Sequence, residues 1–341
     1  MTTLRILPIE PLENRYTKHW YDYFPEQFQD HCPEYDVIQI SGHILDNKTD
    51  EGAFLNFSST SHFKATQMAQ VAKIFAQNLV KDGDVFLVTD AWNPCAHMIR
   101  YMADLAGIRI KMMGFWHAGH YDPHDLLAQR FTNPKWAEAL EQSMFELYDS
   151  NVFATGFHQR LFGMSVNALI RNKSMVSGFP MEYYSKIKDL TTKNWENKDN
   201  VVLFPHRMSK EKRPQEFEAL RELLPNFELK YVQAETKEEY HQELRNAKYV
   251  FSAADQETLG ISMIEGVLAG CIPLVPDRLS YQEMYFDDFT YIRISQIPNM
   301  IKKFEDDWQN RNLLLRNQRA KLNNFISGQK IYDKINDWID E

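Results

Sequence analysis

Residues 248–276 decide the fold, and they read Lys-Tyr-Val-Phe-Ser-Ala-Ala-Asp-Gln-Glu-Thr-Leu-Gly-Ile-Ser-Met-Ile-Glu-Gly-Val-Leu-Ala-Gly-Cys-Ile-Pro-Leu-Val-Pro. The beginning is typical of a short buried strand, and the end, from Ile272, is typical of another. Between them the pattern predicts a loop with Glu257 and a helix that carries Glu265 and ends at Gly270. This order predicts one repeat of an open parallel α/β sheet. In such sheets, ligands bind beyond the carboxyl ends of the strands, where helix N-termini offer free N–H groups to phosphate.

The two acids in this stretch, Glu257 and Glu265, are eight residues apart, just over two helical turns. We therefore expect an acid in the loop and an acid on the helix to face one ligand. The arrangement resembles the Glu-x7-Glu motif of retaining GT-B glycosyltransferases, in particular the large GT4-type group.

A second segment carries the same resemblance. Residues 201–214 read Val-Val-Leu-Phe-Pro-His-Arg-Met-Ser-Lys-Glu-Lys-Arg-Pro and are similar to that group's strand followed by Gly-Arg-Leu-x-x-x-Lys-Gly. Arg207 and Lys212 keep the Arg-x4-Lys spacing, whereas His206 and Arg213 stand where the group usually has glycine. Further on, Glu283 occupies the acidic position of the group's Gly-Gly-x-x-Glu. The resemblance covers roughly the last 140 residues and hardly extends into the first half.

Strand-like runs alternate with helical patterns in both halves of the chain, which predicts two doubly wound parallel sheets. In the first half they are Arg5–Ile9, Val37–Ser41, Ala53–Phe57, Asp84–Thr89, Ile110–Trp116 and Val152–Thr155. Together with the resemblance, this organisation implies the GT-B fold, in which two Rossmann-like domains face each other across a cleft. We expect an acceptor-side domain at 1–180, a nucleotide-sugar-binding domain at 181–320, and a C-terminal helix at 321–341 that crosses back to the first domain. Residues 186–200 are expected to be a linker.

The resemblance implies roles for the two acids. Glu265 would hold the ribose hydroxyls of the nucleotide, since a carboxylate accepts two hydrogen bonds from a vicinal diol, and Glu257 would contact the hydroxyls of the transferred sugar. Backbone N–H groups around the following loop would face the diphosphate, because glycine permits close approach there. The further donor-binding residues are Thr258, Leu259, Gly260, Ile261 and His206.

Arg207 and Lys212 are the expected catalytic cations, because transfer from a nucleoside diphosphate sugar builds charge on the leaving diphosphate. The Asp82-Gly-Asp84 sequence matches the metal motif of another glycosyltransferase fold, but it precedes its strand and is read as a turn. We therefore expect a metal-independent enzyme that needs no cofactor besides its nucleotide-sugar, a UDP-sugar.

Residues 114–125 hold three histidines and two aspartates at a predicted strand end. The resemblance places His117 near the transferred sugar as a catalytic residue, with His120 and Asp122 as further candidates. Imidazole and carboxylate are also metal ligands, so a metal site is the alternative.

The charge of the chain is −9 overall, but it is unevenly distributed. From His158 to Arg213 there are eleven Lys or Arg and five Asp or Glu, a local excess of +6. This segment is either a solvated surface or an electropositive region for a diphosphate and a polyanionic acceptor, to which Lys186 and Lys188 would contribute. No apolar run reaches the length of a membrane span, and neither a signal peptide nor a disulfide framework is indicated. These features predict a cytoplasmic protein.

In the first half, residues 7–16 read Leu-Pro-Ile-Glu-Pro-Leu-Glu-Asn-Arg-Tyr and residues 20–24 read Trp-Tyr-Asp-Tyr-Phe. These segments faintly resemble glycosyltransferases of tailed bacteriophages, some of which modify hydroxymethylpyrimidines in phage DNA. This resemblance implies modified DNA as an acceptor and the host cytoplasm as the location. A surface-polysaccharide glycosyltransferase, and a sugar-nucleotide epimerase, phosphorylase or binding protein on the same fold, remain alternatives. The sequence specifies neither the sugar, the linkage nor the oligomeric state.

Overall fold

The structure is a computed structural model that describes residues 2–13, 15–45, 49, 54–166, 172–187, 190 and 193–339. The chain divides into two compact units. Unit 1 comprises residues 1–154, 158–183 and 327–341, and unit 2 comprises residues 155–157 and 184–326. The main boundaries therefore lie at 183 and 326, where the sequence analysis placed them at 180 and 320.

Unit 1 is built on a six-stranded parallel sheet in the order β2-β1-β3-β4-β5-β6. The strands are β1 (Thr2–Leu7), β2 (Tyr35–Gln39), β3 (Val85–Val88), β4 (Lys111–Trp116), β5 (Ser150–Phe153) and β6 (Ser174–Val176). The helices of this part of the chain are α1 (Tyr16–His31), α2 (Phe57–Ala76), α3 (His97–Ala106), α4 (Leu126–Arg130), α5 (Pro134–Leu147) and α6 (Gly156–Val166). The inner strands β3 and β5 are buried along their whole length, as expected for a parallel sheet with both faces covered.

Unit 2 is built on a five-stranded parallel sheet in the order β11-β10-β9-β7-β8. Its strands are β7 (Asp199–Phe204), β8 (Glu228–Tyr231), β9 (Ala247–Phe251), β10 (Ile272–Pro276) and β11 (Thr290–Tyr291). The remaining helices are α7 (Pro214–Leu223), α8 (Lys237–Asn246), α9 (Ile261–Leu268), α10 (Tyr281–Met284), α11 (Ile297–Asp306), α12 (Trp308–Ile326) and α13 (Gln329–Asp337). The two doubly wound parallel sheets confirm the predicted fold class.

The last helix, α13, belongs to unit 1. Its Tyr332 ring stacks on His31 of α1 at 4.3 Å between ring centroids, and Gln27 donates a hydrogen bond to the Tyr332 hydroxyl at 2.7 Å. The C-terminal segment is thus tied to the first helix of the chain. Among the described residues, no helix is both long enough and apolar enough to cross a membrane.

One predicted strand, Ala53–Phe57, is wrong. Phe57 is the first residue of α2, and the side chain of Asn56 caps that helix by accepting from the Ser59 N–H at 3.0 Å. Ala53 itself lies outside the described residues. A local Asn cap thus outweighs the apolar character of the segment.

The predicted linker at 186–200 is anchored at its end. Lys198 is buried, and its ammonium group donates to the carbonyl oxygens of Arg245 at 2.7 Å and Ala247 at 2.9 Å. Strand β7 begins at the next residue. Main-chain oxygens near the end of α8 therefore hold the start of the unit 2 sheet in place.

Candidate functional site

The loop from β9 to α9 lies at the carboxyl edge of the unit 2 sheet. Gly260, at its end, has φ 74°, the left-handed conformation that favours glycine, and a Cβ there would meet the Tyr281 ring at 3.0 Å. The Glu257 carboxylate accepts the Gly260 N–H at 3.0 Å. This acid therefore closes the turn from which α9 starts.

Lys212 contacts this loop from the segment that follows β7. Its ammonium group donates to the Gln256 carbonyl oxygen at 2.7 Å and to the Glu257 carboxylate at 3.0 Å. The lysine and glutamate side chains are only 7% and 15% exposed. A cation and an acid 45 residues apart in the chain thus form one largely buried pair. Both oxygens of Glu257 already accept a hydrogen bond, so any contact with a sugar must use their remaining lone pairs.

His206 and Arg207, the second and third residues after β7, also point polar atoms into the protein. His206 Nδ1 lies 3.1 Å from the Ser262 hydroxyl on the first turn of α9. Arg207 pairs with Glu211 through one terminal nitrogen. His206 Nε2 and Arg207 Nε are buried, and within the described ranges neither has a hydrogen-bond partner. The structure therefore places two unsatisfied nitrogen atoms on adjacent residues near Lys212 and α9.

Glu265 is buried in α9 and is held by side chains from two other segments. One oxygen, Oε1, accepts from Lys237 at 2.8 Å and from the Tyr184 hydroxyl at 3.2 Å, and His241 lies 3.8 Å from the same atom. Burial by itself would raise the pKa of Glu265, but the charge of Lys237 and the contact with His241 outweigh burial and lower the pKa below its ordinary value. Glu265 is therefore ionised near neutral pH, and Oε2 accepts no hydrogen bond from the described residues.

Lys237 and His241 were missed by the sequence analysis, although a signal was present. They are four residues apart and so lie on one face of α8. The start of that helix is fixed by a capping box between Thr236 and Glu239. A lysine and a histidine on one face of a helix with a clear capping signal could have indicated a partner for the predicted acid on the next helix.

The other predicted residues of unit 2 have structural contacts. The Thr258 carbonyl oxygen accepts from the Thr155 hydroxyl at 2.8 Å. Leu259 is buried and Ile261 is the first residue of α9. Glu283, on α10, accepts the Phe157 N–H at 3.2 Å. Thr258, Leu259 and Ile261 thus shape the start of α9, and Glu283 anchors residues 155–157.

His117 lies in unit 1, immediately after β4. Its Nε2 is 2.7 Å from the Thr89 carbonyl oxygen and therefore carries a hydrogen, which leaves Nδ1 to accept from the Tyr16 hydroxyl at 3.1 Å. Burial lowers the pKa of His117 more than the nearby Asp90 raises it. The neutral His117 ring has a hydrogen-bond partner at both nitrogens. To bind a ligand through Nδ1, it must therefore give up its hydrogen bond with the Tyr16 hydroxyl.

His120 and Asp122 have contacts of their own, separate from those of His117. His120 Nδ1 lies 3.7 Å from the buried Glu141 carboxylate, and Asp122 accepts the His124 N–H at 3.0 Å. Across the part of the chain that the structure describes, no three His, Cys, Asp or Glu side chains are grouped to hold a metal ion. Burial raises the pKa of Glu141 to about 7, against hydrogen bonds that lower it.

The basic segment His158–Arg213 is partly neutralised by acids outside it. Lys173 pairs with Glu146, Lys212 with Glu257, and Arg213 with Asp255. The net count along the segment therefore overstates the free positive charge. Lys186 is exposed, whereas Lys188 lies outside the described residues.

Comparisons with known proteins bear on the fold. A scan against models of protein families finds no match. Over 72 residues, 21% of this chain, the sequence is 38% identical to the tRNA-queuosine alpha-mannosyltransferase of Drosophila melanogaster, and the match spans about a fifth of that enzyme (19%).

Similar solved structures cover the whole chain. Sucrose-phosphate synthase from Thermosynechococcus elongatus matches 100% of this chain and 98% of its own at a TM-score of 0.68 and 9% identity. The Anabaena protein HepE, solved in complex with UDP and glucose, matches 100% of this chain and 98% of its own at a TM-score of 0.60 and 12% identity. Together with the two parallel sheets, these similarities show that the chain has the GT-B fold of glycosyltransferases.

Proposed function

We propose that the protein is a glycosyltransferase that uses a nucleotide-sugar donor, bound by unit 2. The observation that carries the proposal is the arrangement around α9. Lys212 lies against Glu257 in the loop that enters the helix, and ionised Glu265 lies within it. These groups stand at the carboxyl edge of a parallel sheet, where such folds bind their ligands.

The diphosphate is assigned to Arg207 and Lys212, next to the N-terminus of α9. A diphosphate gains charge as the sugar leaves, and fixed cations and helix N–H groups stabilise that charge without rearranging. The buried Arg207 Nε, which has no acceptor in the described structure, supports the assignment. With two cations at this position, we propose transfer that is independent of metal ions.

The ribose is assigned to Glu265. Lys237 and Tyr184 fix Oε1 and thereby orient the carboxylate. Oε2 is the atom proposed to accept hydrogen bonds from the ribose hydroxyls. Thr258, Leu259 and Ile261 shape the adjoining loop, and Glu257 is proposed to contact the transferred sugar.

The proposed reaction retains the configuration at the sugar. The bond from the anomeric carbon to the diphosphate breaks, the acceptor oxygen forms its bond on the same face, and the acceptor proton moves to a diphosphate oxygen. The Glu-x7-Glu pattern supports this course, and HepE with UDP and glucose supports a UDP-sugar as donor. His117 is proposed to contact the sugar after exchanging its bond to Tyr16.

The proposed acceptor is a hydroxyl group on a modified base in nucleic acid, with hydroxymethylpyrimidine DNA of a phage as the specific candidate. The similarity to an enzyme named for queuosine in tRNA supports an acceptor of this class. The exposed Lys186, with Lys188, is the proposed contact to the phosphate backbone. The charge of −9 opposes tight non-specific binding, so the affinity should depend on the modified base as well as on phosphate.

The test is the release of nucleoside diphosphate from a panel of UDP- and GDP-sugars, with and without acceptor. The acceptors are hydroxymethylated single-stranded and duplex DNA, total tRNA and a mixture of oligosaccharides, and mass spectrometry locates the transferred sugar. We expect hydroxymethylated DNA to increase the release of nucleoside diphosphate and to gain the mass of the transferred sugar. Transfer to tRNA or to oligosaccharide would refute DNA as the acceptor but would support the proposed glycosyltransferase activity. If no donor releases nucleoside diphosphate with any acceptor, the proposed glycosyltransferase activity is refuted.

A further inference from the structure

His206 is the feature of the donor site that the proposed function leaves without a chemical role. It is held at Nδ1 by the Ser262 hydroxyl at 3.1 Å, while its Nε2 is buried and has no partner among the described residues. The next side chain, Arg207, also buries an Nε without an acceptor. Each buried nitrogen without a partner is unfavourable in the protein alone, and a hydrogen bond to a ligand oxygen would remove that cost.

The Ser262 contact at Nδ1 fits either neutral tautomer of the His206 ring. A serine hydroxyl both donates and accepts, whereas a neutral imidazole has one donor and one acceptor nitrogen. If the Ser262 hydroxyl donates to Nδ1, Nε2 bears the hydrogen and becomes a donor. An anion facing Nε2 would select this tautomer, because the alternative directs a lone pair at the negative charge.

The ring is neutral over the working pH range. Burial lowers the pKa of His206 well below its ordinary value, and the neighbouring charges of Lys212 and Arg207 lower it further. Near neutral pH the ring of the ligand-free protein is therefore uncharged.

We propose that His206 is a neutral hydrogen-bond donor which, with the Ser262 hydroxyl donating to Nδ1, binds a phosphate oxygen of the donor diphosphate through Nε2–H beside Arg207. This inference rests on the proposed function and adds a residue and a protonation state to it. His206 stands where the resembling group has glycine, so this chain would replace close backbone approach with a side-chain donor.

The role in the reaction is stabilisation of the leaving group. As the bond from the anomeric carbon to the diphosphate breaks, negative charge grows on the phosphate oxygens, and the hydrogen bond from Nε2 strengthens. The acceptor proton moves to a diphosphate oxygen, and His206 keeps its own proton throughout. His206 thus acts without being a general acid.

The experiment compares calorimetric binding of UDP and uridine, and of GDP and guanosine, to the parent and to His206→Ala, His206→Gln and Ser262→Ala. Gln places an amide N–H close to the position of Nε2, and Lys210→Ala, an exposed neighbour, is the control. We expect His206→Ala to weaken nucleoside diphosphate binding about 10- to 100-fold, as loss of a hydrogen bond to a charged group predicts. Nucleoside binding should be unchanged, Gln should restore most of the loss, and Ser262→Ala should be intermediate.

Nitrogen NMR of the parent adds a readout that a purely structural role would not change. Saturation with the nucleoside diphosphate should give the Nε2–H tautomer of His206 at every pH from 6 to 8. The inference would be overturned if His206→Ala weakened nucleoside and nucleoside diphosphate binding equally, or changed neither. An Nδ1–H tautomer of His206 in the complex would also overturn it. In these cases the parent still binds the nucleotide, so the proposed function would stand. A parent that binds neither nucleoside diphosphate would overturn the proposed function and this inference together.

Discussion

Replacing Glu265 by alanine should weaken donor binding more than replacing any other acid of the chain. Oε2 is proposed to accept from both ribose hydroxyls, and loss of these two charge-assisted hydrogen bonds should cost about 2–3 kcal/mol. This corresponds to a loss of about 30- to 150-fold in affinity for UDP or GDP, measured by calorimetry. Because the ribose is also present in uridine and guanosine, their affinity should fall by a similar factor. A loss of nucleoside binding distinguishes the role of Glu265 from that of His206, whose replacement should leave nucleoside binding unchanged.

The same acid should also affect stability, and Glu265→Gln measures this with little change of shape. The substitution leaves Lys237, whose side chain is 14% exposed, without its counter-charge. Removing one partner of a buried ion pair lowers the free energy of unfolding by about 3–5 kcal/mol. Because Lys237 is partly exposed, we expect a loss of about 2–3 kcal/mol at pH 7. Denaturant unfolding gives this free energy directly.

The pH dependence of unfolding follows from the lowered pKa of Glu265. A carboxyl group whose pKa is lower in the folded than in the unfolded chain stabilises the fold above its ordinary pKa of 4.5. This contribution decreases as the pH falls below 4.5, and Glu265→Gln should remove that part of the acid destabilisation. The control is Glu218→Gln, which breaks an exposed pair with Arg221 and should cost under about 0.5 kcal/mol. Parent-like binding of UDP and GDP by Glu265→Ala would refute the assignment of the ribose site.

Three further results are expected. Transfer should survive treatment with EDTA, because Arg207 and Lys212 are proposed to hold the diphosphate; activity that disappears and returns only with Mg²⁺ or Mn²⁺ would contradict this. Charge reversal of Lys186 and Lys188 should raise the KM for hydroxymethylated DNA and leave donor binding unchanged, and DNA binding should weaken steeply with salt; equal KM values in parent and variant would exclude these lysines. Glu141 has its pKa raised to about 7 in the fold, so its contribution to stability should fall as pH rises from 4.5 to 7; compared with the parent in unfolding experiments, Glu141→Gln should gain up to about 3 kcal/mol across this range.

The order of strands and helices around residues 248–276 could be predicted because each element has a strong local signal. The buried run of β9, the glycine before α9 and the apolar run of β10 are all visible in the sequence. The predicted helix that carries Glu265 is α9, Ile261–Leu268. The failed strand at Ala53–Phe57 shows the limit of this reasoning, because the Asn56 cap competes with β propensity and wins.

The contacts between predicted residues could not be read from the sequence. Lys212 and Glu257 were assigned separately to diphosphate and sugar, yet they form one pair. The partner of Glu265, Lys237, is 28 residues away in the chain, and only the packing of α8 on α9 brings the two charges together. Burial and partner choice are set by tertiary structure, whereas residue type and spacing are local.

The most direct measurement of the donor site is amide hydrogen exchange with and without saturating UDP or GDP. If the nucleotide binds where the sheet of unit 2 meets α9, exchange should slow in peptides covering residues 205–213 and 252–266. The proposed site predicts protection in both segments, and protection should be lost in Glu265→Ala at the same nucleotide concentration. Unchanged exchange in both segments under conditions where calorimetry shows binding would contradict the location of the site.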